Sequence, residues 1–198
     1  MENPRARQPS PKRASSPRDN SKRPKLPQRI AKKNKNENEN VEARRVEPEI
    51  PQEIYREEIE PELKRELSSL SADNAEQTAR HLIALVHFLP IDVQRAHLHG
   101  VAASARAARV GRVRELAGIA AYAAEKFDVA LRELKTAFRI TGDPTFWAMM
   151  ADCHRGMSEP LKALELGRAP EVKLLDKEAQ VELRIVLSGA RRDLGEFA

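Results

Sequence analysis

Between residues 111 and 144 the apolar positions fall on two successive helical stripes. In GRVRELAGIAAYAAEKFDVALRELKTAFRITGDP, Leu116, Ala117, Ala120, Ala121 and Ala124 return at the three- and four-residue spacing of one helix face. Glu125-Lys126 make a polar corner, and a second stripe follows in Phe127, Ala130, Leu131, Leu134, Ala137 and Phe138. Gly142-Asp143-Pro144 stop it, with Asp143 expected to cap a new helix and Pro144 to stand in that helix's first turn. Gly118 lacks a side chain within the first stripe, so the two helices are expected to cross closely there, with Ala130 facing it.

The same reading extends in both directions. Leu63, Leu67 and Leu70 predict a short helix over 62–70, and further helices are expected over 75–89 and 93–109, separated by Pro90 and capped by Asp92. Beyond the central pair, helices are predicted over 144–155, with Trp147 buried between neighbouring units, over 158–167, capped by Ser158, and over 176–194. That makes eight helices and no strand, an all-α chain. One helical hairpin buries too little to stand alone, so these units must stack.

The central unit resembles the tetratricopeptide repeat, a helix-turn-helix of 34 residues. Ala117-Gly118 fall where that family carries its Leu-Gly pair, Phe127 at the corner aromatic, Ala130 at the small residue of the second helix, and Leu134 and Ala137 at packing sites. Ala121 stands in place of the usual Tyr, and Pro144 arrives two residues late. Copies start near Gln77, Gly111, Pro144 and Val181, at spacings of 34 (111 − 77), 33 (144 − 111) and 37 (181 − 144), the last of them incomplete. RAARVGRVRELAGIAAY, ADCHRG and VELRIVLSGARRDLG are also similar to stretches of actinobacterial proteins built from this repeat. The resemblance covers residues 62–198 and implies a right-handed solenoid; it implies no activity.

Charge divides the chain where the stripes begin. Residues 1–46 hold 14 Lys+Arg against 5 Asp+Glu, with six prolines among Ser and Asn, and are expected to be a disordered basic tail. Residues 47–198 hold 21 against 25, so a basic arm precedes a mildly acidic body. Lys22, Arg23, Lys25, Lys32, Lys33 and Lys35 suit sequence-independent contact with phosphates, without an aromatic residue among them for base stacking. Residues 47–61, with Pro48, Pro51, Pro61 and many Glu, predict an extended linker. Cys153 is the single cysteine, and neither an apolar leader nor a membrane-length run is visible; a cytoplasmic protein without a membrane partner is expected.

Catalytic and metal chemistry find little support. No two of His81, His87, His97, His99 and His154 have the spacing that puts two imidazoles on one helix face, and His154 falls at an inward position, so a partly buried structural histidine is expected. No Gly-rich phosphate loop or nucleophile elbow occurs, and the carboxylates alternate with Lys and Arg as on solvated helix faces. A non-enzymatic chain without metal or cofactor is expected.

In the resembled family the first helix of each repeat lines a concave groove for a partner segment. The corresponding positions are Arg112, Glu115, Ile119, Tyr122 and Ala123, then Thr145, Ala148, Asp152, Arg155 and Gly156, then Arg192. By that resemblance Arg112, Arg155 and Arg192, beside Tyr122, would form a basic patch for an acidic partner segment. The first reading is therefore a protein-binding scaffold; the second is a nucleic-acid- or ribosome-associated protein that uses the basic arm. Leu183, Val186, Leu187, Ala190 and Leu194, with Ile185 and Phe197 nearby, predict a partly uncovered C-terminal apolar edge that a second copy, a partner helix or residues beyond this sequence would close.

Overall fold

The computed structural model describes residues 47–56 and 58–196, all within one compact unit. The basic tail, its six lysine and arginine positions and Phe197 lie outside the described residues. Among the described residues every regular element is helical. These are α1 (Gln52–Arg56), α2 (Pro61–Glu66), α3 (Ala72–Phe88), α4 (Val93–Arg106), α5 (Gly111–Ala123), α6 (Phe127–Thr141), α7 (Trp147–Gly156), α8 (Pro160–Leu166) and α9 (Lys177–Asp193), with a 3-10 turn at Pro170–Leu174. From α3 to α9 each helix packs on the one before it, and α3 also touches α5, as α7 touches α9.

The stripes account for the packing. Leu82, Leu85 and Phe88 of α3 are buried, as are Val113, Ala117, Ala120 and Ala121 of α5 and Ala130, Leu131, Leu134 and Ala137 of α6. The run of alanines lets backbones approach. Opposite Gly118, however, stands Leu134 rather than Ala130: a Cβ added at Gly118 would lie 2.7 Å from the Leu134 side chain. The crossing is therefore one helical turn further along α6 than the stripe alone predicts. Trp147 is buried, edge-on to Phe138 of α6 at 5.2 Å, and its Nε1–H donates to the Leu166 carbonyl of α8 at 3.0 Å.

Three helices end in one and the same way. After α5 the Glu125 N–H donates to the Tyr122 carbonyl and the Lys126 N–H to Ala121, both at 2.9 Å. After α7 the Ser158 and Glu159 N–H groups donate to Arg155 and His154, both at 2.8 Å. After α9 the Gly195 and Glu196 N–H groups donate to Arg192 and Arg191, both at 2.9 Å. Each is a Schellman closure with a left-handed residue, at φ 58 for Glu125, 61 for Ser158 and 77 for Gly195. The three corners lie 33 (158 − 125) and 37 (195 − 158) residues apart, the spacings of the sequence pattern.

Several expectations are corrected. Residues 47–61 are not a spacer: they contain α1, with Ile54 fully buried and Ile59 buried. Arg80 of α3 holds that segment, donating from Nη1 to the Ile54 carbonyl at 2.9 Å with its guanidinium over the Tyr55 ring. Pro48, Pro51 and Pro61 interrupt the stripe there, so two buried isoleucines read as isolated. Asp143 closes a turn on Thr145, accepting from its N–H at 2.9 Å and its hydroxyl at 2.6 Å, and α7 begins only at Trp147. Ser158 is the left-handed corner residue, and Glu159 precedes α8. The C-terminal stripe is mostly covered: Leu183 and Ala190 are buried, and Val186, Leu187 and Leu194 half-buried, against α7 and α8. Ile185, named beside that stripe, and Val181 are the large apolar side chains of α9 left well exposed, so the edge is uncovered in part. No helix among the described residues is long and apolar enough to cross a membrane.

Candidate functional site

Two clefts open on the first helices of the hairpins. The larger, of about 830 Å³, lies between the segment leading through α2 and the surfaces of α3 and α5. Its apolar lining is Leu63, Leu82, Ile83, Val86, Val110 and Leu116, and Val86 is 55% exposed although it faces the cleft. Glu58, Glu60, Glu62, Glu66 and Glu115 surround that floor, against Arg109 and Arg112. Arg112 lies 3.7 Å from Glu115. Burial pushes the Glu115 carboxyl up; Arg112 opposes that shift, whereas the charges of Asp143 and Glu66 add to it. Glu62 accepts from Arg65, just outside the lining, at 2.6 Å. Among the lining residues the carboxylates still exceed the cations, with Glu58, Glu60 and Glu66 in no ion pair among the described residues.

The smaller cleft, of about 540 Å³, is lined by Asp152, Arg155, Gly156, Ser158, Pro160 and Asp193. A chain of polar contacts crosses it. Tyr122 Oη donates to Asp152 at 2.6 Å, Arg155 Nη1 donates to Asp152 at 2.8 Å, and Arg155 Nε donates to Asp193 at 2.7 Å. Burial, then the bond to Asp152, raises the pKa of the Tyr122 hydroxyl, keeping it a donor. The Arg155 hydrogen bond holds Asp193 below the ordinary carboxylate range. Gly189 makes room for this arrangement, since a Cβ there would lie 2.5 Å from the Arg155 guanidinium carbon. The chain of bonds ties α5, α7 and α9 together.

The sequence-predicted site residues thus fall in two places. Arg112 and Glu115 pair beside the larger cleft; Tyr122, Asp152 and Arg155 join in the smaller; Arg192 is exposed on α9 beside Asp193. A single basic patch does not form, because Arg155 is held between two carboxylates. Asp193, 38 residues from Arg155, was not among the predicted residues, and neither were the apolar floor of the larger cleft and, Glu115 apart, its acidic rim. Their helical register was visible in the sequence, but their facing partners were not.

Buried titratable groups complete the picture. His154 is buried, more fully than expected, with Nδ1 2.9 Å from Glu159. His81 and His99, on α3 and α4, are both buried with their Nδ1 atoms 3.0 Å apart, and Phe88 stacks on His99. Burial, reinforced by the His81 and Arg95 charges, lowers His99 to about 4, and burial also lowers His81. Glu47 lies 3.4 Å from His81 Nε2 and accepts from Arg106 at 2.7 Å. Burial would raise the Glu47 carboxyl, but Arg106 and His81 together hold it down. Glu133 corrects the solvated-face reading of the carboxylates: it is buried in α6, paired with Arg114 of α5 and within 3.4 Å of the Ser104 hydroxyl of α4. Cys153 is buried, and burial with the nearby Asp152 pushes its thiol up to about 12. No group of three metal-ligating side chains occurs among the described residues. No protein-family model, curated protein or solved structure matches the chain.

Proposed function

We propose that this chain is a non-enzymatic scaffold of the tetratricopeptide-repeat type that binds a segment of a partner protein in the groove formed by its first helices. The observation that carries this reading is the larger cleft, whose apolar floor between α3 and α5 is partly exposed, most of all at Val86, with Arg112 and Glu115 at its edge. Exposed apolar surface rimmed by polar groups is what a segment-binding groove requires. Support for the repeat architecture comes from the three identical helix closures at the spacing of the sequence pattern. The buried thiol of Cys153 and the mutually bonded side chains of the smaller cleft suit structure better than turnover.

The net charge of residues 1–46 supports a second reading, in which the arm binds nucleic acid and the helical body adds a docking contact. One experiment tests both. Partners captured by the full chain are compared with those captured by residues 47–198, at low and high salt. A groove partner is retained by the shorter chain and resists salt. A phosphate-bound partner is lost with the arm and weakens steeply as salt rises.

A further inference from the structure

The larger cleft carries chemistry of its own. Its floor offers Leu63, Ile83, Val86 and Leu116, and its volume of about 830 Å³ falls within the range of pockets that bury a ligand of a few side chains. Glu58, Glu60, Glu62 and Glu66 are all exposed around that floor, on a short length of chain ending in α2. Of the rim's two cations, Arg112 already leans on Glu115. An acidic segment would meet this rim with like charge. A segment with aliphatic side chains on one face and lysines or arginines flanking them matches both the floor and the rim.

We infer that this cleft binds a basic amphipathic segment of a partner protein, with its aliphatic side chains on Ile83, Val86 and Leu116 and its cations among Glu58, Glu60, Glu62, Glu66 and Glu115. The inference rests on the scaffold reading above and reverses the partner charge expected from the arginine positions. Glu115 supports it: its carboxyl is pushed up by burial and by neighbouring Asp143 and Glu66, the condition that an incoming cation relieves.

The test uses the full chain and two labelled synthetic peptides, a Leu/Lys peptide with leucines at helical spacing and its Leu/Glu counterpart, followed by fluorescence anisotropy. The Leu/Lys peptide is expected to bind. Its affinity should fall about tenfold or more in a Glu58→Gln/Glu60→Gln/Glu66→Gln variant and in Val86→Lys, all changes at exposed positions that leave the core intact. NMR of the Glu115 side chain should show its pKa falling when this peptide is added. Binding of Leu/Lys that all the variants retain would overturn the assignment, as would a dimer of the free chain that the peptide disperses, since a second copy would then fill the cleft. Preferential binding of Leu/Glu, abolished by a Val86→Asp change, would leave the groove reading standing and overturn the charge inference. If neither peptide binds, both fall.

Discussion

The two clefts are built from the same kinds of side chain and differ in where their charges go. In the smaller one, Tyr122, Asp152, Arg155 and Asp193 satisfy one another across three helices. In the larger, glutamates outnumber arginines over an apolar floor, and Val86 stays exposed. A polar cluster whose members are paired holds helices together; one with unmatched charge beside apolar surface has capacity to bind. Type and spacing of residues do not separate the two cases. What separates them is a partner such as Asp193, delivered by a helix far along the chain.

The largest expected effect lies at the seam between these regions. Glu133→Ala would leave the Arg114 guanidinium, mostly buried, without its carboxylate and should cost about 3 kcal/mol in urea denaturation. A cost below about 1 kcal/mol would mean that water solvates Arg114 there.

Acid should strike the α3–α4 side through its histidines. The unfolded chain takes up a proton at His99 near 6.5, whereas the folded chain resists until about 4. Stability is therefore complete above 6.5 and declines as pH falls through that interval, by roughly 3 kcal/mol from this group. Glu47, held low by Arg106 and His81, contributes a loss of the same sign as it is protonated. Denaturation curves across this range should become shallower in pH dependence for His99→Gln. An unaltered profile would remove the imidazole pair as the cause.

Within the smaller cleft, Arg155→Ala should cost about 1–2 kcal/mol by freeing both aspartates and loosening α7 from α9. Its absence of effect would erase the distinction between the clefts. Glu125→Gly should act in the opposite direction. It removes a side chain from a left-handed corner and should raise stability by up to about 1 kcal/mol, read as a higher Tm. The smallest effect belongs to the rim. The Glu58→Gln/Glu60→Gln/Glu66→Gln variant should fold within about 0.5 kcal/mol of the parent, because these side chains are exposed.

Much of the helical order was legible because the stripes of α5 and α6 are dense and their corners fall at regular spacing. Burial of Trp147 and His154 was legible for the same reason. The rest depended on contacts between distant residues. His81 and His99 lie 18 apart on separate helices, so no spacing rule on one helix joins them. Ile54 and Ile59 are isolated among prolines and glutamates, and only the surface of α3 reveals them as core. Glu133 sits among arginines and lysines in sequence, and its burial follows from Arg114 and Ser104 on other helices. Arg112 and Glu115 do lie together at the larger cleft, whereas the pairing of Arg155 with Asp193 depends on a helix 38 residues further on.

The indole of Trp147 has a practical consequence. It is the chain's only tryptophan, fixed in the α6–α8 seam and remote in sequence from the histidine pair. Its emission therefore watches one end of a molecule whose helices mostly touch their sequence neighbours, while helical circular dichroism averages over all of them. Arrays with such local contacts can melt from one end. Coincident transitions by the two optical signals would make the described helices one cooperative unit; an acid-induced loss of ellipticity that precedes the red shift would show the α3–α4 end opening first.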